Sequence, residues 1–408
     1  MANAETIILP DWNAFIGAIW CQRPVVINTA TNAPFLDAEE VFAAAKLAVQ
    51  HSRGGERIDV RLFVDQAIRV VDRAALLPAQ SDKDVTAWSA RLRATLAGKS
   101  FCLVLRELHM YCPKAWHEMR GFFLPLYRCL GVPDDTVNSL FLGEYDQTPF
   151  GVHTDPDHTF YFLLEGRKRF WIWPPDYPER AGTNWVLEGG LGSTEFDGHR
   201  SNAVVLDAGI GDVVYWPPGF WHVAEGPREK AVALSVGIPA PAPLFVVGVV
   251  NDWLGHALGE APMRLHAMED NMPTSVQQQF DSLKALLADP RCLARLAWAK
   301  HLSSLGFKRL PKTRPGITLL DADILIAAPD SVRWFQTSEA ELICLSHGYH
   351  LALPNARSIL RLLAMLRNGG QWLVGAFVEA HTSDELSPVG VRNILDKLYQ
   401  MRAIEMER

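Results

Sequence analysis

A histidine and an aspartate one residue apart, with a second histidine far along the chain, constrain this sequence more than any other feature. His153 and Asp155 lie in Phe150-Gly-Val-His-Thr-Asp-Pro156, and His222 closes Gly211-Asp-Val-Val-Tyr-Trp-Pro-Pro-Gly-Phe-Trp-His222. Two imidazoles and one carboxylate can occupy one face of an octahedral metal and leave three positions open. Residues i and i+2 of a strand point to the same side, so His153 and Asp155 reach one ion from a single strand end. His222 must come from a later strand. Only a sheet that curls back on itself brings the three together.

The flanking sequence supports such a sheet. Gly211-Asp212 reads as a turn, Val213 to Trp216 as a strand, Pro217-Pro218-Gly219 as a break, and Phe220-Trp221-His222 as its resumption. Thr159 to Leu164 reads as a buried strand, Glu165-Gly166-Arg167 as a tight turn, and Lys168 to Trp173 as the returning strand. Period-two alternation puts Lys168, Phe170 and Ile172 on one face and Arg169, Trp171 and Trp173 on the other. A lysine on an apolar interior face is costly unless an anion meets it. A dicarboxylic acid would supply that anion.

The stretch from His153 to Pro175, with Gly211 to His222, resembles the JmjC group of Fe(II)- and 2-oxoglutarate-dependent oxygenases. Arg23-Pro-Val-Val-Ile27 is similar to an N-terminal strand common in that group, and the resemblance spans roughly residues 20 to 245. It implies that His153, Asp155 and His222 bind Fe(II) and carry the catalysis. It also implies that Lys168 binds the distal carboxylate of 2-oxoglutarate, with dioxygen as the second co-substrate. The group adds a hydroxyl or amide contact to 2-oxoglutarate. Here Tyr145, Thr148, Thr159, Tyr161 and Ser235 all offer one, and the sequence does not choose among them. Ser235 stands where related enzymes often have an asparagine nearby.

Length and composition bound the rest. At 408 residues the chain is long for one core. Apolar content of 49% and charged content of 21% fit a globular protein. A net charge of −7 argues against a surface built as a whole for nucleic acid. The six cysteines, at 21, 102, 112, 129, 292 and 344, form no Cys-x-x-Cys pair and read as reduced thiols in a cytoplasmic protein. The N-terminus lacks a basic region followed by a long apolar core, and no apolar run is long enough for a membrane span.

The expected architecture is a mainly β core, a double-stranded β-helix of the jelly-roll, cupin-like JmjC kind with flanking helices. Residues 1–135 are an α/β part flanking the barrel and 136–250 the catalytic core. Residues 251–310 are a helical region whose amphipathic helices suit packing on the barrel or a homodimer seam, and 311–408 a small winged-helix-like α/β domain. In the first part, Asp37 reads as the N-cap of a helix, with Glu40 completing a capping box. Lys114 to Leu130 reads as a helix interrupted or kinked at Pro125. Residues 176–201 have little periodicity and are too long for a hairpin loop, which suggests a substrate-facing insertion with Trp185, Glu188 and Glu195 as contacts. In the last domain Asn355 reads as the cap of the helix that follows it.

This order of barrel, helical region and winged-helix-like domain is similar to that of the ribosomal oxygenases of the group. The resemblance therefore implies hydroxylation of a side chain in a protein or peptide, with succinate and CO2 as co-products. A small-molecule oxygenase that tailors a natural product would use the same iron site. A free-acid or amino-acid substrate would call for an arginine or lysine near the iron besides Lys168. A cupin-like metal-binding protein without oxygenase activity would keep the fold and lose 2-oxoglutarate binding.

Overall fold

The structure, a computed structural model, describes residues 6–8, 11–28, 33–54, 58–65, 67–69, 75–183, 185, 195–239, 277, 281, 284, 299–307 and 310–407. The chain divides into two compact units, residues 1–240 and 241–408. The helical region expected over 251–310 lies almost entirely outside the described residues, and with it the expected dimer seam.

Among the described residues the first unit is built on twelve strands. They are β1 (Thr6–Ile8), β2 (Val25–Asn28), β3 (Val60–Val64), β4 (Ala67–Arg69), β5 (Phe101–Arg106), β6 (Val137–Glu144), β7 (Asp157–Glu165), β8 (Lys168–Trp173), β9 (Val204–Ala208), β10 (Asp212–Trp216), β11 (Trp221–Glu225) and β12 (Lys230–Pro239). Nine of them form one sheet in the order β1-β2-β10-β7-β12-β6-β5-β3-β4, and β11-β8-β9 form a second. Non-sequential neighbours such as β10-β7-β12-β6 are the signature of a jelly-roll. The N-terminal strands do not merely flank the barrel. They continue its larger sheet at both edges.

Alternation explains why β7 is buried along its length. Tyr161 and Leu163 face inward, into a core shared with Val214, Phe170, Ile172 and Leu206 from both sheets. Phe160 and Phe162 face outward and are covered by aromatic rings of two helices, α1 (Trp12–Ala18) and the helix Pro113–Leu130. Phe160 lies 6.1 Å from Phe15 and 5.1 Å from Phe123, centroid to centroid. A strand buried on both faces reads as a continuous apolar run, as Thr159 to Leu164 does.

The helix Pro113–Leu130 runs without interruption through Pro125 and ends at Gly131, whose φ is +91°. Burial of Trp116, Met119, Phe123, Leu126 and Tyr127 at helical spacing holds it in place despite the missing N–H. Asp37 caps its helix as expected, accepting from the N–H groups of Glu39 and Glu40 at 2.8 and 3.2 Å. Glu40 does not close a capping box. Its carboxylate pairs instead with Lys114 at 2.8 Å.

Gly143 on β6 lies so close to β5 that an added Cβ would stand 2.1 Å from the carbonyl oxygen of Phe101. Backbone cannot step aside there without parting the strands. Gly143→Ala is expected to lower stability by about 1–3 kcal/mol, the usual range for overpacking. The midpoint of a urea titration measures it.

The second unit contains β13 (Ile324–Ala327), β14 (Arg333–Gln336), β15 (Glu341–Ser346), β16 (Tyr349–Pro354), β17 (Gly370–Leu373) and β18 (Glu405–Glu407), in two three-stranded sheets ordered β17-β13-β18 and β14-β15-β16. Helices Arg357–Asn368, Val374–His381 and Pro388–Gln400 pack Leu362, Leu366, Phe377, Val391 and Leu395 into a core with Leu325 and Leu342. Asn355 does not cap the first of these helices. Its amide donates to the carbonyls of Ser338 and Glu339, and so ties down the β14–β15 turn. Among the described residues no helix is long and apolar enough to cross a membrane.

Candidate metal centre

His153 and His222 face each other across a short antiparallel bridge. The N–H of His222 donates to the His153 carbonyl at 2.8 Å, and the N–H of His153 to that of His222 at 3.1 Å. Further along, Thr148 donates its N–H to Ala224 at 2.8 Å, so the 147–153 segment lies beside β11 as an additional edge of the smaller sheet. The turn Pro217 to Gly219 is fastened to the same place, since the Gly219 N–H donates to the Asp155 carbonyl at 2.9 Å. Gly219 has φ of +79°, which favours glycine. The proline-rich break before His222 is therefore part of the site.

Each imidazole is oriented by its own backbone. His153 Nδ1 lies 2.9 Å from the Gly151 carbonyl and His222 Nδ1 lies 3.0 Å from that of Phe220. A carbonyl only accepts, so Nδ1 carries the proton and Nε2 presents a lone pair. Asp155 Oδ2 stands 3.5 Å from His222 Nε2 and 3.9 Å from His153 Nε2. One ligand atom from each of the three lies within 4.8 Å of the others. Burial, and then the nearby His153, push the pKa of His222 down to about 4. His222 is thus neutral at neutral pH, the form that binds a metal.

Lys168 begins β8 on the inward face, as the alternation predicts, and is only 2% exposed. Its Nζ sits 3.3 Å from the centroid of the Tyr145 ring and makes no hydrogen bond. Burial pushes its pKa down to about 7. The hydroxyls of Tyr145 and Tyr161 are also buried, and they interact with each other and with the Cys102 thiol. Rings connect this pocket to the candidate metal ligands: Tyr161 to Phe170 at 5.2 Å, Phe170 to Trp216 at 5.6 Å, and Trp216 to His222 at 4.5 Å. An ammonium left unpaired in an apolar interior is expensive. A carboxylate with free acceptor oxygens would satisfy it.

The structure sorts the other hydroxyl candidates. Tyr145 lies at Lys168, and Tyr161 stands beside Tyr145. Thr159 and Ser235 line a separate space of about 240 Å³ beside His153 and Asp155. Thr148 is engaged with backbone, donating to the Ala224 carbonyl and accepting from its N–H.

The expected substrate contacts fare differently. Trp185 is 6% exposed and packs against Trp173, Tyr177 and Trp221 on the outer side of the smaller sheet. It is a packing residue, because the apolar rings of β8 and β11 need cover there. Glu195 is exposed, and its carbonyl accepts from the Trp185 indole at 3.4 Å. Glu188 lies outside the described residues.

Sequence reasoning missed Arg61 and Arg106, which line the space beside the metal ligands. Arg106 was within reach of it. It ends the run Phe101 to Arg106, where alternation places it on the face of Cys102 and Val104.

A curled jelly-roll with a two-histidine, one-carboxylate centre at one end defines a JmjC-type oxygenase barrel. Residues 131–243 match the family model of the JmjC domain, which together with the three-ligand cluster supports a 2-oxoglutarate-dependent oxygenase. Such a barrel takes Fe(II) and 2-oxoglutarate, which the imidazole–carboxylate set and the unpaired Lys168 fit. No curated protein sequence matches the chain. Among solved structures, an X-ray structure of E. coli ycfD is similar in fold, with a TM-score of 0.50 and 16% identity over 98% of this chain and 99% of that one. A structure described as YcfD, a ribosomal oxygenase from Escherichia coli in complex with cobalt and 2-oxoglutarate, gives the same four values. A third, of the same ribosomal oxygenase, has a TM-score of 0.51 at 15% identity with the same coverage.

Proposed function

We propose that the protein hydroxylates a side chain of a protein or peptide, consuming 2-oxoglutarate and dioxygen and releasing succinate and CO2. The observation that carries the co-substrate half of this reading is Lys168, buried and without a hydrogen bond in the same barrel as the metal ligands. The substrate half is supported by likeness of fold over nearly the whole chain to a protein described as a ribosomal oxygenase. Iron, when bound, supplies the activation of dioxygen. The chain's own residues do the rest. His153, Asp155 and His222 present three ligands on one side. Lys168 holds the far carboxylate of the co-substrate, helped by the Tyr145 and Tyr161 hydroxyls. Phe150, Phe170 and Trp216 keep water from the space between.

A small-molecule substrate is the second reading. The described part of the 177–203 segment folds down onto the smaller sheet instead of walling a peptide groove. The space beside the ligands, about 240 Å³, suits one side chain or one small molecule. A cytoplasmic location goes with either reading, since all five described cysteines are free thiols.

Calorimetric titration of 2-oxoglutarate into anaerobic, Fe(II)-loaded protein tests the proposal, followed by succinate measurement in air. Binding and slow succinate release without added substrate are expected. Failure of the metallated protein to bind 2-oxoglutarate would leave a cupin-like metal-binding protein.

A further inference from the structure

The larger sheet carries a row of polar side chains across its inward face. Register pairs Arg106 of β5 with Ser139 of β6, Ser139 with Ser235 of β12, and Ser235 with Tyr161 of β7. Four neighbouring strands therefore present a guanidinium, two hydroxyls and a phenol abreast, on a face otherwise filled by Val104, Phe141, Ala233 and Leu163. Tyr161 is buried at the Lys168 end. Arg106, Ser139 and Ser235 line the space beside His153 and Asp155, and Arg61 of β3 joins them.

All four of the lining groups named can donate. The acids lining the same space are Asp155, which a metal would take, and Asp157, while Asp59 adjoins it through its arginine partners. Asp59 is occupied by Arg61, which grips both its oxygens at 2.8 and 3.1 Å. It stands 3.8 Å from Arg106, beyond hydrogen-bond length. Asp157, on β7, lines the same space and attracts Arg106 through space, but makes no ion pair with it within 4.0 Å among the described residues. The half-exposed Arg106 guanidinium feels the charges of Asp59 and Asp157 but makes no side-chain hydrogen bond among the described residues, so its N–H donors remain available beside His153 and Asp155. On that reading the co-substrate does not account for it, because Lys168 would meet the distal carboxylate and the His153, Asp155 and His222 cluster would hold the metal for the other end.

We propose that Arg106, with Arg61 and the hydroxyls of Ser139 and Ser235, receives a carboxylate of the substrate next to the metal. The inference rests on the oxygenase reading above. A planar guanidinium meets a carboxylate through two parallel N–H donors, which fixes orientation as well as charge. The carboxylate can belong to a free organic acid or to a Glu or Asp side chain of a peptide.

The test uses full-length protein loaded anaerobically with Fe(II) and 2-oxoglutarate. The probes are small monocarboxylic acids and their primary amides, and short peptides bearing Glu or Asp with their Gln or Asn counterparts. Binding is read by calorimetry and stimulation of succinate release in air. Acids are expected to bind more tightly than matched amides. Arg106→Gln should remove that preference, raising the Kd of the best acid roughly tenfold to a hundredfold, the loss typical of one hydrogen bond to a charged group. Arg106→Lys should keep part of it, and Arg61→Gln should cost less. The Kd of 2-oxoglutarate should not change in any of these variants. Free acids alone binding would identify a small-molecule substrate, and peptides alone a protein one. The inference is overturned if amides bind as well as acids, if no acid binds, or if Arg106→Gln keeps the preference, with 2-oxoglutarate binding intact. Loss of 2-oxoglutarate binding in the wild type would instead overturn the oxygenase reading.

Discussion

Asp155→Ala is expected to weaken Fe(II) binding by more than about a hundredfold, since even outer-shell partners of metal ligands are worth 10- to 100-fold. The carboxylate is the only negative charge in the triad, and its Oδ2 stands within 4 Å of both imidazole Nε2 atoms. Without it two neutral imidazoles remain, and a hard divalent ion loses its anionic ligand. The fold should survive. The Asp155 side chain is 40% exposed, and it is its backbone carbonyl, untouched by the substitution, that fastens the Pro217–Gly219 turn. Anaerobic titration of Fe(II) into the variant, beside a thermal melt of both apo-proteins, separates the two effects. Unchanged metal affinity would show that the cluster is not the metal centre.

Lys168→Met should act in opposite directions on affinity and stability. The variant loses the cation that meets the distal carboxylate, so the Kd of 2-oxoglutarate should rise roughly tenfold to a hundredfold. The apo-protein should become more stable by about 1–4 kcal/mol, as when other buried charged groups give way to apolar ones of similar size. The sign follows from what surrounds Nζ: no hydrogen bond, one aromatic face, and an interior otherwise apolar.

The same residue gives the stability of the apo-protein a pH dependence. Lys168 has a folded pKa of about 7, against roughly 10.4 in an unfolded chain. Between those values the unfolded chain holds the proton and the folded one does not, so stability rises as pH rises. Below pH 7 both states are protonated and the whole cost of the buried charge is present. Urea midpoints of the wild type should therefore climb between about pH 7 and 10 relative to Lys168→Met. A variant that is less stable and still binds 2-oxoglutarate would mean that Lys168 serves the fold and not the co-substrate.

Much of the centre was legible because it depends on short-range periodicity. The spacing of His153 and Asp155, the inward face of Lys168 and the Pro-Pro-Gly break before His222 are all local patterns, and a strand obeys them wherever it lies. Local pattern failed where distant partners decided. Asp37 and Asn355 are both good cap residues. Asp37 caps its helix, while the amide of Asn355 is drawn to carbonyls of the β14–β15 turn that the fold brings near. Glu40 had the right spacing for a capping box and went to Lys114, which is remote in sequence. Trp185 sat in a segment without periodicity and read as a substrate contact. It is buried because Trp173 and Trp221 expose rings on the outer side of a sheet whose other side is the barrel core.

The sequence by itself determined the chemistry on offer: a two-histidine, one-carboxylate ligand set, a lysine placed to meet an acid, and strands that must curl to join them. Tertiary structure alone decided which hydroxyls share the lysine's pocket, and that Arg106 and Arg61 stand beside the metal ligands. The reason is physical. Which side of its own strand a residue faces follows from counting along the chain, but which residues lie abreast depends on the order and register of strands far apart in sequence. The order β7-β12-β6-β5 aligns Tyr161, Ser235, Ser139 and Arg106 into one row.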